Sequence, residues 1–198
     1  MNSHGNDSAQ KDKTTWIEFD SSAPELMSII VRARKLTNEY NRLPADTGTE
    51  RRRILEQLLG GIGENAYIDV PFYCDYGKNI FIGKNVYIGL NCTFVDNNEI
   101  VIGDNTLIAS GVDISTATHP VSARERIIQD PNRHNTYRTY SAPVKIGNNC
   151  WIGANATIIP GVTIGDNTTI GAGSVVIRDI PANCLAVGNP CRVIKELD

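Results

Sequence analysis

The chain lacks the marks of several large function classes. Its formal net charge is -3, and it has no basic stretch interleaved with aromatics, so general nucleic-acid binding is not expected. No apolar run approaches the length of a membrane span. The opening MNSHGNDSAQKDK has no apolar centre of the kind a signal peptide needs, so no membrane partner and a cytoplasmic location are expected. Only 3 histidines are present, His4, His119 and His134, and they are scattered, so no metal is expected. The 5 cysteines are odd in number and show no CxxC spacing. Cys74, Cys92 and Cys150 read as small reduced core thiols.

What the chain does have is a beat of six. From Ile146 it reads IGNNCW, IGANAT, IIPGVT, IGDNTT, IGAGSV and VIRDIP, an aliphatic residue opening each hexad. Six matches neither the helical period nor the strand period, so it requires a coil with three flat sides, each contributing one buried aliphatic residue. The same beat runs through Ile62, Ile68 and Cys74, then Ile82, Ile88 and Phe94, then Ile102, Ile108 and Ile114. Extra residues fall after every third of these hexads, at one corner of successive coils. Small or β-branched residues four places on (Val86, Cys92, Val112, Cys150, Ala156, Val162, Thr168) suit the inside of a tight corner. Gly, Asn and Asp between them suit turns with positive φ.

Residues 1–13 are polar and expected to be disordered. Residues 14–61 form a helical segment, with one amphipathic helix over Ser22 to Asn41 and a second opening on the capping box Thr47-x-x-Glu50. Residues 62–181 carry the coils, interrupted by a loop over 120–145 that has no hexads. Residues 182–198 form a tail.

The segments GENAYIDVPFYCDYGKNIFIG, NCTFVDN, TATHPV, IGNNCWIGANATIIPGVTIGDNTTIGAGSVV and VGNPCRVIKEL resemble the hexapeptide-repeat acyltransferases, above all the maltose and galactoside O-acetyltransferase branch. The resemblance implies a mainly β chain, a left-handed parallel β-helix with an N-terminal α-helical segment, assembled as a homotrimer. It implies an acetyl-CoA-dependent O-acetyltransferase acting on a sugar or glycoside, with acetyl-CoA as co-substrate.

Acetyl transfer from a thioester to a hydroxyl needs a base, donors facing the developing oxyanion, and precise placement. Histidine is the side chain that titrates near neutrality. His119 stands at the end of the last coil before the loop, and by resemblance it is the general base of a direct transfer in a ternary complex. The same resemblance assigns coenzyme A contacts to Ala154, Ala172, Ile177, Arg178, Arg192 and Lys195 and a channel wall to Trp151, with the Ala154 N–H as oxyanion donor. For the acceptor it points to Asp20, Asp75, Tyr87 and Asn97, with Asn91 serving either as a further contact or as a turn residue. Asp96 either orients His119 or serves its turn. Two departures bear on the acceptor: Gly89 replaces the branch's stabilising asparagine, and the arginine of the first helix is absent, Arg32 being the nearest substitute. A non-sugar acceptor of the xenobiotic type, or a non-catalytic trimeric binding protein, are the alternatives.

Overall fold

The computed structural model describes residues 16–130 and 136–198, and the segment expected to be disordered lies outside the described residues. Three parallel ladders form the three sides of a β-helix. The first face stacks Gly61–Ile62, Ile80–Ile82, Ile100–Ile102, Val144–Ile146 and Thr163–Ile164. The second stacks Tyr67–Ile68, Tyr87–Ile88, Leu107–Ile108, Trp151–Ile152, Thr169–Ile170 and Cys184–Val187, and Arg192–Glu196 then adds antiparallel. The third stacks Phe72–Cys74, Cys92–Val95, Asp113–Ser115, Thr157–Ile158 and Val175–Val176.

The register follows the beat. Ile62 pairs Ile82, which pairs Ile102, and Ile102 pairs Ile146 across the whole excursion. Ile68, Ile88, Ile108, Ile152 and Ile170 align on the second face, and Cys74, Phe94, Ile114, Ile158 and Val176 on the third. Ile88, Ile108, Ile152 and Ile170 are all 0% exposed, so each contributes about 1.5–3 kcal/mol by burial. Phe94 meets Phe72 edge to face, with ring centroids 5.2 Å apart.

The corner between the first and second faces carries a ladder of asparagines. Asn65, Asn85, Asn105, Asn149, Asn167 and Asn183 all sit at positive φ, and each passes its side-chain N–H to the carbonyl oxygen of the next, at 2.8 to 3.2 Å. Asparagine tolerates the left-handed region, and stacking gives its amide partners on both sides.

Helix α1 (Pro24–Arg42) and helix α2 (Gly48–Leu58) cover the first coil. Asn41 closes both hydrogen bonds of Phe72, at 2.9 and 3.0 Å, and Tyr40 donates to the Ile68 carbonyl. Arg52 donates to the Gly63 and Ile62 carbonyls at 2.8 Å each. The expected capping box does not close. Thr47 donates instead to the Pro44 carbonyl at 2.7 Å, and Glu50 takes Arg53, a charged partner one turn on. No helix among the described residues is long and apolar enough to cross a membrane.

Among its described residues the interruption carries strands and a short helix of its own, and it ends before residue 145. Val144–Ile146 is already a rung of the first face, because Val144 pairs Ile100. Before it, Thr139–Ser141 lies antiparallel between Ile17–Phe19 and Ala117–Thr118 as a small three-stranded sheet. A short helix, α3 (Ala123–Arg126), opens the excursion.

Candidate active site

The corner between the third and first faces is where the extra residues of the beat fall, and it gathers one group of the sequence-predicted residues. In the first coil the turn from Asp75 to Asn79 winds round the side chain of Asp96, which belongs to the second coil and is 0% exposed. Asp96 Oδ1 accepts from the N–H groups of Tyr76 (2.8 Å) and Asp75 (3.1 Å), and Oδ2 from that of Asn79 (3.3 Å). The Asp96 carbonyl takes Asn79 Nδ2 at 2.7 Å. Burial nevertheless wins over these bonds and pushes the Asp96 carboxyl up to about 6. Asp96 therefore serves its turn, and the alternative in which it orients His119 is set aside. Asn97 Nδ2 donates to Asp75 Oδ2 at 3.4 Å, so these two predicted residues are neighbours.

His119 follows the strand Ala117–Thr118 at the same corner of the third coil and is exposed. Its Nδ1 lies 2.9 Å from the Arg138 carbonyl. A carbonyl only accepts, so Nδ1 holds the proton and the Nε2 lone pair is left to take another. The carbonyl is held in turn: Arg138 N donates to the Arg126 carbonyl at 2.7 Å, and its guanidinium Nε lies 3.3 Å from Glu18. Arg126 also donates to the Pro120 and Val121 carbonyls, at 3.0 Å each, which clamps the chain just after His119. Trp16, Thr118, Pro120, Val121 and Tyr140 line a mainly apolar recess beside the imidazole. Asp20 ends the N-terminal strand and accepts from Ser22 N at 2.9 Å and Ser22 Oγ at 2.6 Å.

Ile177 and Arg178 are at this same corner on the last coil, both exposed. The other predicted residues are not. Trp151 and Tyr87 point outward from the second face, 52% and 40% exposed, and Tyr87 stacks on Tyr67 with ring centroids 6.0 Å apart. Asn91, Ala154 and Ala172 lie at the corner between the second and third faces, where Asn91 has φ 60 and so fills a turn. Arg192 and Lys195 are on the antiparallel strand that closes the second face, opposite Val187 and Leu185. Within one chain the predicted residues thus divide between the two edges of the third face.

Gly89 has a packing reason. A Cβ there would lie 2.8 Å from Ser110 N, so no side chain fits without moving the next coil. Arg32 does not reach any of these residues: its guanidinium is bound to the Gln57 carbonyl at the end of α2. Four of the five cysteines are poor nucleophiles, since burial raises the thiols of Cys92, Cys150 and Cys191 and pushes Cys74 up to about 12, and Cys184 is itself buried.

Glu18, Arg126, Arg138, Trp16 and Tyr140 were not singled out from sequence. The alternation in Thr139, Tyr140 and Ser141 was a strand signal, but its partners lie far away in the chain and no local pattern names them.

Comparison with known proteins gives a consistent set of matches. Residues 143–178 match the "Bacterial transferase hexapeptide (six repeats)" family, residues 18–63 the "Maltose acetyltransferase hexapeptide capping motif", and residues 79–115 the "Hexapeptide repeat of succinyl-transferase". The chain is 44% identical to the galactoside O-acetyltransferase of Escherichia coli (strain K12), over 85% of this chain and 79% of that protein. A maltose O-acetyltransferase from Clostridium difficile 630 superimposes with a TM-score of 0.84 at 43% identity, covering 91% of this chain and 92% of that one. A galactoside acetyltransferase in complex with coenzyme A gives 0.85 at 41% identity, covering 91% and 86%.

Proposed function

Since the chain belongs to the hexapeptide-repeat acyltransferases, in the maltose and galactoside O-acetyltransferase branch, we propose that it moves acetyl from acetyl-CoA to a hydroxyl of a sugar or glycoside, at sites shared between subunits of a homotrimer. The observation that carries this reading is the division of the candidate residues between two edges of one face. A chain with His119, Asp75, Asn97, Ile177 and Arg178 on one edge and Tyr87, Trp151, Ala154 and Ala172 toward the other completes a site when the first edge of one subunit meets the second edge of its neighbour. The exposed column Tyr67, Tyr87, Leu107 and Trp151 outside the second face supports such an assembly, because a contiguous apolar stripe calls for cover.

In the transfer, the acceptor hydroxyl oxygen attacks the thioester carbonyl carbon while His119 Nε2 takes its proton. The oxyanion is met by the Ala154 N–H. As the C–S bond breaks, the imidazolium returns the proton to the departing thiolate. The raised cysteine thiols favour this direct route over an acyl-enzyme. Small residues at Ala154 and Ala172 leave room for pantetheine, Trp151 walls it, and Arg178, Arg192 and Lys195 supply positive charge for the phosphates. Asp20, Asp75, Asn97, Tyr87 and Asn91 meet the acceptor. The apolar recess of Trp16, Val121 and Tyr140 makes glycosides with an aryl group the first acceptors to try.

The test is complementation. His119→Ala and Ala172→Trp are each expected to be inactive alone. Co-expressed at equal levels, they should recover about one quarter of wild-type thiol release, since one site in four joins two intact edges of different chains. A mixture as inactive as its parents would place both edges in one chain's site and refute the shared arrangement. Absence of coenzyme A binding by calorimetry would favour the non-catalytic alternative.

A further inference from the structure

We propose that Asp96 is the positioning residue for the acceptor end of the site: the turn carrying Asp75 is wound on its carboxylate, and through that turn Asp96 sets Asp75 and Asn97. The proposal rests on the reading of those two residues as acceptor contacts. Asp96 is itself 0% exposed and touches no solvent, so its effect on an acceptor must pass through the turn.

The chain makes its other corners without a buried charge. Exposed asparagines at positive φ close the corner between the first and second faces, and from the second coil on asparagine or glycine closes the next, where the first coil has Val70-Pro71. At the corner that presents Asp75 it places the one fully buried carboxylate among the described residues, and burying a carboxylate is costly unless hydrogen bonds compensate. Three offset part of that cost, from the N–H groups of Asp75, Tyr76 and Asn79, and the Asn79 amide adds a bond to the Asp96 backbone carbonyl. Gly77, at φ 70, lets the turn close tightly; a Cβ there would lie 2.5 Å from the Leu58 carbonyl oxygen. The arrangement continues toward His119: Asn98 N donates at 2.8 Å to the hydroxyl of Thr116, which is buried on the coil that ends in the imidazole. Asp75 and Asn97 are therefore referenced to the Asp96 carboxylate, whereas His119 is held separately by the Arg138 carbonyl.

The experiment compares Asp96→Asn, Asp75→Ala and the double variant in steady-state kinetics with acetyl-CoA and the best glycoside acceptor, alongside thermal melts. Asp96→Asn places an N–H2 against backbone N–H donors. It should raise the acceptor KM about tenfold while kcat and the acetyl-CoA KM stay within about twofold. Asp75→Ala should raise the acceptor KM as well, and the double variant should fall clearly short of the product of the two effects, because with Asp75 gone only Asn97 is left for Asp96 to position. Multiplying effects in the double variant would overturn the proposal, as would a lower melting temperature with an unchanged acceptor KM. An acceptor KM unmoved in Asp75→Ala, with a raised one in Asp96→Asn, would remove the reading of Asp75 and the proposal together. Should Asp96→Asn fail to fold, Asn79→Ala, which removes only the clasp onto the Asp96 carbonyl, must raise the acceptor KM by a smaller factor; no change there overturns the idea.

Discussion

Replacing Asn149 in the middle of the asparagine ladder separates two contributions that the structure combines at one residue. Its side chain accepts from Asn105 at 3.2 Å and donates to Asn167 at 2.9 Å, and its backbone sits at φ 56. Asn149→Gly loses both bonds but keeps easy access to that φ. The residue is exposed, so each bond is taken at the low end of its range, and the loss is about 1 kcal/mol. Asn149→Ala loses the same bonds and adds roughly 1–2 kcal/mol for a side chain in the left-handed region. The stiffer unfolded chain of alanine returns about 0.4–1 kcal/mol of this. Alanine should therefore be less stable than glycine by about 0.5–1 kcal/mol, although alanine is ordinarily the better residue. Urea unfolding followed by circular dichroism, at one protein concentration throughout, reads the difference. If alanine proves as stable as glycine, the corner relaxes out of its left-handed geometry and the ladder is not what holds it.

Two other outcomes are expected. His119→Asn retains a side-chain N–H for the Arg138 carbonyl but has no lone pair where Nε2 was; turnover should fall about 10²–10⁴-fold with acetyl-CoA affinity by calorimetry little changed, and a loss under about tenfold would remove His119 as the base. The second concerns pH: burial raises the Asp96 carboxyl from 3.8 to about 6, so folding takes up a proton between those values. Keeping this group ionised costs stability above pH 6, and the cost disappears as pH falls toward 3.8. It amounts to about 3 kcal/mol over that window. Unfolding free energies from pH 4 to 7 should show this slope in the wild type and lose it in Asp96→Asn; identical slopes would contradict the burial argument.

Much of the scaffold was legible because each rung repeats the same local problem. A buried aliphatic residue at every sixth place sets the register, so the pairing of Ile102 with Ile146 follows from the beat even though the excursion lies between them. The extra residues after Cys74 and Phe94 marked the corner that holds Asp75, Asn97 and His119. What could not be read is non-local. Nothing near His119 says that its Nδ1 will find the carbonyl of Arg138, because that contact depends on an antiparallel strand pairing with the N-terminal residues Ile17–Phe19. Asp96 was ambiguous for a similar reason, since its partners belong to the preceding coil. The capping box failed because Glu50 had a charged alternative in Arg53 that the motif does not take into account.

The two Arg52 hydrogen bonds to Ile62 and Gly63, with the Asn41 pair on Phe72, occupy backbone groups that another extended chain would otherwise use to continue the stack. At the opposite end the strand Arg192–Glu196 runs antiparallel, which breaks the parallel order an incoming copy would need. A solenoid whose every rung is a template for the next has no intrinsic reason to stop, and these plugs set its length. Deleting residues 16–60 would leave a raw edge able to recruit other molecules head to tail, and open-ended filaments are the form that failure would take.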